Sequence, residues 1–304
     1  MSLFIAKRAL SCLITIFIII TASFFTVRLA PGSPFSSERD IPPEVLNNLK
    51  AKYGLDQPIE KQFVHYLENL LQGDLGLSTK YPRSVNEIIA ISLPKTLQLG
   101  TIAVLWALLI GISAGVFAAI RQNTAWDYSF MAIAMIGISV PSFVLGPILI
   151  LVFSLYLYWF PPGGWGSFEH MILPGITLGT VYAAYIARLT RAGMLEIIRT
   201  DFVRTAKAKG LKESYIIWKH VMKGGLIPTI TYLGPAIASM MTGSVVVEKI
   251  FNTPGIGPYF VDAAFNRDYF LIMGIVIVYS TFLLGMNFLV DLLYGYLDPR
   301  IRYD

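Results

Sequence analysis

Apolar residues in this chain fall into long unbroken runs, without the period of two or of 3.6 that marks a half-buried strand or a surface helix. Six runs reach the length of membrane spans, at about residues 9–30, 96–120, 128–158, 171–190, 226–248 and 269–295. Lys7 and Arg8 precede the first run as they would in a signal peptide. That run, from Leu10 to Val27, exceeds the usual signal core, and further spans follow, so it reads as a retained first span. As a helix the third run would be about 46 Å long, past the roughly 30 Å of a hydrocarbon core. Pro141 and Pro147 interrupt it, each removing a backbone donor, so it is expected to be one kinked or tilted helix and not two spans.

The polar stretch 31–93 is patterned as well. Pro43 and Gly54 are placed to start and stop one helix, and Pro58 and Gly73 bracket a second. Ile59, Phe63, Tyr66, Leu67, Leu70 and Leu71 would form the apolar face of that second helix. Ser84 with Glu87 makes a capping box ahead of Ile88 and Ile89. The stretch therefore predicts a small helical cap. In the spans, Gly111 with Gly115 and Gly175 with Gly179 have the spacing that lets helices pack closely.

Composition agrees with hydrocarbon as the solvent. Of 304 residues 55% are hydrophobic and 14% charged, against about 25% charged in soluble domains, and the mean hydropathy is +0.62. Lys and Arg orient the bundle. The N-terminus, the 188–223 segment and the tail are basic, and with six spans all three face one side, the cytoplasm. The 31–93 stretch, with more acids than bases, and the 159–170 and 249–268 loops then face the periplasm.

Little in the chain supports covalent chemistry. Cys12 is the single cysteine, and His65, His170 and His220 lie far apart with no metal-binding spacing. No catalytic or metal residues are assigned, and nothing points to nucleic acid. Spans two to five hold no ionisable group in their interiors, which disfavours a proton-coupled carrier. No G-x-x-x-x-G-K-[ST] loop is present to bind ATP. Energy for uphill transport would have to enter from a partner.

The basic loop is the place where it could enter. Ala206 and Ala208 favour helix, Gly210 can stop it, which makes a short basic helix, and a second helix is expected from about Glu213 to Met222. The run Arg204-Thr205-Ala206-Lys207-Ala208-Lys209-Gly210-Leu211, followed by Leu226-Ile227-Pro228, resembles the cytoplasmic loop of ABC importer permeases of the peptide branch. Leu29 to Pro34, Tyr53-Gly54-Leu55, Gly73-Asp74-Leu75-Gly76, Pro254-Gly255-Ile256-Gly257 and Leu297 to Tyr303 are similar to the same branch, so the likeness spans the chain.

The resemblance implies an all-α polytopic fold of the MetI-like importer-permease type. It would have six transmembrane helices and a large helical periplasmic insertion after the first. Its parts would be an N-terminal span (1–30), a periplasmic cap (31–95) and a permease core (96–304) with a coupling loop at 191–225. It further implies a bacterial inner-membrane subunit with both termini cytoplasmic, paired with a second homologous permease. Two ABC ATPase subunits would carry ATP and Mg, this chain would hold no cofactor, and a periplasmic peptide-binding protein would deliver oligopeptide. Arg204, Thr205, Ala206, Lys207, Ala208, Lys209, Gly210 and Leu211 would form the ATPase-coupling surface. Pro141, Ser142, Gly243 and Ser244 offer small or broken backbone for the pathway. Permeases of the same architecture for dipeptides, nickel, opines, heme or antimicrobial peptides share the loop pattern. A stand-alone channel or secondary carrier is the reading from a different class, and a membrane enzyme lacks a convergent cluster of reactive side chains.

Overall fold

The computed structural model describes residues 2–29, 44, 47, 48, 51 and 53–297. The helix expected between Pro43 and Gly54, most of the 29–34 motif and the 297–303 motif lie largely outside the described residues. Among those described no strand forms, and a lone antiparallel bridge joins Leu77 to Ser84.

Helices account for the fold. They are α1 (Ser2–Leu29), α2 (Ile59–Leu71), α3 (Val85–Ile120), α4 (Ala125–Ser139), α5 (Ser142–Leu149) and α6 (Glu169–Ile198). After them come α7 (Asp201–Ala208), α8 (Glu213–Ile216), α9 (Met222–Gly225), α10 (Ile227–Met241), α11 (Val245–Ile250), α12 (Ile256–Asn266) and α13 (Tyr269–Leu297). A π-helical segment, Ile150–Tyr156, extends α5, and another, Ile217–Val221, joins α8 to α9. The wider π turn lets the chain stay helical while rotating its side chains by a fraction of a turn.

Among the described residues four helical stretches are long and apolar enough to cross a bilayer, Ile5–Leu29, Val85–Ile120, Glu169–Ile198 and Tyr269–Leu292, and the bent pair Ala125–Ser139 with Ser142–Tyr156 makes a fifth if taken as one broken span. Two predicted spans differ. The 128–158 run is not one kinked helix. It is two helical pieces meeting at 110° across Val140 and Pro141. Pro141 has no N–H to carry the ladder on, and it pushes Val140 into the extended region at ψ 116°. The 226–248 run also divides. α10 holds 15 residues, about 22 Å of helix. The chain then turns through Gly243 at φ +74° before α11 begins. Conversely, the capping box at Ser84 and the second span belong to one 36-residue helix, α3, which runs on through Pro94. The Ser84 hydroxyl accepts from the Glu87 amide at 3.2 Å, as a cap should.

The chain divides into two compact units: Met1–Lys95 with Gly255–Gly285, and Thr96–Pro254 with Met286–Asp304. In the first, Ile20 and Phe24 of α1, Tyr66 of α2 and Met273 and Ile277 of α13 bury one another. The predicted face of α2 holds for Ile59, Phe63, Tyr66, Leu67 and Leu70, which pack there, and fails for Leu71, 90% exposed on the last turn. Val85, Ile88 and Ile89 of α3 pack with Leu75, Ile256, Leu271 and Ile275.

Asp268, fully buried ahead of α13, organises the turn before α3. It accepts from the Ser78 hydroxyl, from the amides of Thr79 (3.1 Å) and Lys80 (3.3 Å), and from Leu271 N in the first turn of α13 (3.2 Å). Nearby, burial pushes the Tyr81 hydroxyl above the usual tyrosine range, helped by Asp262, to which it donates at 3.4 Å. It therefore stays a neutral donor.

The second unit is built on α3 against α6. A Cβ on Gly111 or Gly115 would stand 2.7 or 2.5 Å from the carbonyl oxygens of Ala183 or Ala187. One on Gly175 or Gly179 would meet Ile102 or the Ala103 carbonyl at 2.5 Å. Both glycine motifs thus serve one crossing, where backbones approach too closely for any side chain. Leu99, Ala103, Ala107, Ile186, Ala236 and Met240 form the core that α10 completes.

Candidate functional site

The basic loop folds as a pair of short helical segments on the ends of α3 and α6. α7 opens at Thr200, in extended conformation, and closes in a Schellman motif. Leu211 N donates to Ala206 O at 3.3 Å and Gly210 N to Lys207 O at 2.9 Å, with Gly210 left-handed at φ +74°. A Cβ at Gly210 would find nothing within 4 Å, so glycine is required there by the backbone angle and not by crowding.

One side of α7 is inserted and the other is free. Val203 (1% exposed) and Ala206 (9%) pack with Ala119 of α3, Met194 of α6, Ile216 and Val221. Ile197, Ile198, Val116 and Met222 surround them. Behind this contact lies a cavity of about 210 Å³ bounded by Gln122, Ile198, Val203, Lys207, Glu213 and Ile217. Of the eight predicted coupling positions, Ala206 points into the cluster. Arg204, Thr205, Lys207, Ala208, Lys209, Gly210 and Leu211 are exposed. Arg204 touches Asp201 at 3.2 Å on the same helix, with both side chains at least 75% exposed, so this ion pair holds the arginine loosely. The loop returns to the core by close contact: a Cβ on Gly193 of α6 would stand 2.2 Å from the Gly225 carbonyl of α9. Buried hydroxyls of Thr190 and Thr229 meet at 2.9 Å just beyond.

The four predicted pathway residues occupy two helix breaks. Pro141 and Ser142 form the 110° corner between α4 and α5, with Pro141 exposed and Ser142 half-buried. Gly243 and Ser244 form the turn between α10 and α11, where Ser244 caps α11 by accepting from Val247 N at 3.4 Å. A Cβ on Gly243 would strike Thr96 at 2.6 Å and Glu248 at 2.7 Å. α5 reaches α11 one turn past its corner, where Gly146 lies against Phe251 and Ile250.

In the second unit two buried acids escaped the sequence reading, as Asp268 did in the first. Glu248 ends the predicted fifth span and is fully buried in α11. Asp127, 1% exposed in the first turn of α4, takes a two-pronged ion pair from Arg191 of α6. Nε donates to Oδ1 at 2.6 Å and Nη2 to Oδ2 at 2.7 Å, and Asn123 N adds a bond of 3.0 Å. Arg191 reads in sequence as one more positive-inside charge. A lone acid one residue ahead of an apolar run was the only signal of its partner. Among the described residues no group of three or more His, Cys, Asp or Glu is arranged to hold a metal ion.

The sequence matches family models over nearly its whole length. Residues 111–303 match the binding-protein-dependent transport system inner membrane component, and residues 1–100 match the N-terminal region of such membrane components. The oligopeptide transport system permease protein OppB of Haemophilus influenzae is 50% identical over 303 residues, 99% of each chain. OppB of Salmonella typhimurium is 49% identical over the same share. The dipeptide transport system permease protein DppB of Bacillus subtilis is 45% identical, covering 99% of this chain and 98% of that one. Among solved structures, the inward-facing MetNI methionine ABC transporter matches with a TM-score of 0.55 at 17% identity, over 69% of this chain and 96% of that chain. That likeness is one of fold, and the rest of this chain has no counterpart there.

Proposed function

The chain belongs to the family of binding-protein-dependent transport system inner membrane components, and we propose that within it this chain forms one half of the pathway by which oligopeptides are taken up. It is a multi-pass inner-membrane permease subunit of an ABC importer and not itself an enzyme. The peptide substrate is supported by the relatives with near-complete coverage, whose names specify oligopeptide or dipeptide transport.

The mechanism rests chiefly on one observation. α7 is a basic knob with a rigid stop, held from beneath by Val203 and Ala206 and bare on its other side. Such an element passes force in both directions: whatever grips Arg204, Thr205, Lys207, Ala208, Lys209, Gly210 and Leu211 moves Ala206, and with it the ends of α3 and α6. In our reading the gripping partner is one of two ATPase subunits, which bind ATP and Mg. Their closure on ATP would shift α7 and switch the pathway between inward- and outward-facing states. A second homologous permease completes the pore, and a periplasmic peptide-binding protein supplies it. In this reading the basic loop and both termini lie in the cytoplasm, the 31–95 cap lies in the periplasm, and 96–304 forms the permease core. Pro141, Ser142, Gly243 and Ser244, at the two helix breaks, are proposed to line the route, where backbone freed from its ladder can face water.

The test is reconstitution of the full importer in liposomes with Gly210→Pro. Proline cannot adopt φ +74° and has no N–H for Lys207, so the Schellman stop is lost. Peptide uptake should fall while ATP hydrolysis continues. Uptake that keeps pace with hydrolysis would refute the assignment of this loop.

A further inference from the structure

The second unit contains a buried two-pronged ion pair, and it stands between the loop and the broken helix. Arg191 lies on a particular stretch of α6. One turn before it, Ala187 faces Gly115 of α3, and one turn after it, Met194 enters the cluster beneath α7 and lies against Gly225. Displacement of the loop therefore reaches this part of α6 directly, as it reaches the end of α3. Asp127 lies in the first turn of α4, the helix that ends at the 110° corner and continues into α5.

The contact between α4 and α6 differs from that between α3 and α6. α3 and α6 interlock at four glycines, where a Cβ would come within 2.5–2.7 Å of the opposing helix. At Gly137 of α4 a Cβ would find the Thr180 methyl of α6 at 3.3 Å and the Ala184 methyl at 3.4 Å, still tight but less close than at the four glycines. So α3 and α6 meet backbone to backbone at these glycines, while at Gly137 α4 meets α6 chiefly through side chains. A directed tie lies at the start of α4. There the Asp127 carboxylate takes two guanidinium bonds and the Asn123 amide, the last from a left-handed residue at φ +61° in the turn leading out of α3. Both carboxylate oxygens are used, and the guanidinium fork fixes distance and angle together.

We propose that the Asp127–Arg191 pair is the pivot through which displacement of the loop reaches the α4–α5 corner. Arg191 and Asp127 are then positioning residues for transport: they touch neither ATP nor peptide, and they set how far α4 turns when α6 moves. This inference rests on the coupling role of α7 given above. A pair that only stabilised the fold would change the amount of active importer, not the transport obtained from each ATP.

The experiment uses the complete importer in liposomes, with peptide uptake and ATP hydrolysis measured per mole of assembled complex. Arg191→Lys keeps the charge and loses the fork. Asp127→Asn keeps the shape and loses the charge, and it provides a second reading if the lysine variant assembles poorly. Gly210→Pro serves as the reference for an uncoupled loop. For both pivot variants the peptide imported per ATP should fall by about fivefold or more while hydrolysis continues. An unchanged ratio, whether both rates stay normal or fall together, overturns the pivot. If Gly210→Pro lowers the ratio and the pivot variants do not, this inference alone fails. If Gly210→Pro also leaves it unchanged, the coupling reading fails first.

Discussion

Gly210 is the position where residue chemistry and proposed function meet most directly. Its side chain would have open space, yet its backbone is left-handed. Gly210→Ala should therefore cost about 1–2 kcal/mol locally, by strain alone, and in the reconstituted importer it should uncouple less than Gly210→Pro. Equal uncoupling by both would mean that the position is read for more than its turn. Ala206 makes the complementary point. The sequence places it among the coupling residues, but its side chain is buried with Met194 and Ile216, so it anchors the helix. Asp268 carries a comparable load in the first unit, accepting from Ser78, Thr79, Lys80 and Leu271. Asp268→Ala would strand partly buried donors at about 1–3 kcal/mol each. Limited proteolysis of the detergent-purified protein should show faster cutting at 78–84, and an unchanged rate would remove Asp268 from this role.

At the scale of elements, the glycine spacings in α3 and α6 were legible because a four-residue repeat of small residues has few uses inside an apolar helix. What they could not disclose was that both motifs serve one crossing. Gly179→Leu would drive a side chain into the Ala103 carbonyl, 2.5 Å from the Cβ position. Loss of monodisperse protein on size exclusion is expected, whereas Gly285→Leu, where nothing lies within 4 Å, should be tolerated by the isolated chain. The α4–α5 corner marks where sequence reading fell short. Two prolines announce a break but not its angle. A proline kink and a reversal of 110° remove the same hydrogen bonds, and the difference is made by what each half packs on. Here Gly137 of α4 lies against Thr180 and Ala184 of α6, while Gly146 of α5 lies against Phe251 and Ile250. The 226–248 run divides for a like reason, since Gly243 takes a left-handed turn that hydropathy does not register.

For the whole molecule, the Lys and Arg asymmetry carries a prediction of sidedness. With Cys12→Ala as background, Lys207→Cys should react with an impermeant thiol reagent from the cytoplasmic face only, and His65→Cys from the periplasmic face only. Labelling of both from the same side would overturn the proposed orientation. The apolar runs, the crowding of charge between them and the helix–Gly–helix loop were all readable from the chain, because each depends on local chemistry: transfer from water to hydrocarbon, the topology bias of basic loops and the left-handed preference of glycine. By itself, then, the sequence determined a helical membrane protein, its family resemblance and the place and stop of α7. Tertiary structure alone decided which helices are whole and which are broken, that Ala206 faces inward, and that Asp127 and Arg191, 64 positions apart, are joined. Those outcomes depend on which surfaces meet in space, and hydrocarbon solvates one apolar helical face as readily as another, so a run of apolar residues does not say which face finds a partner.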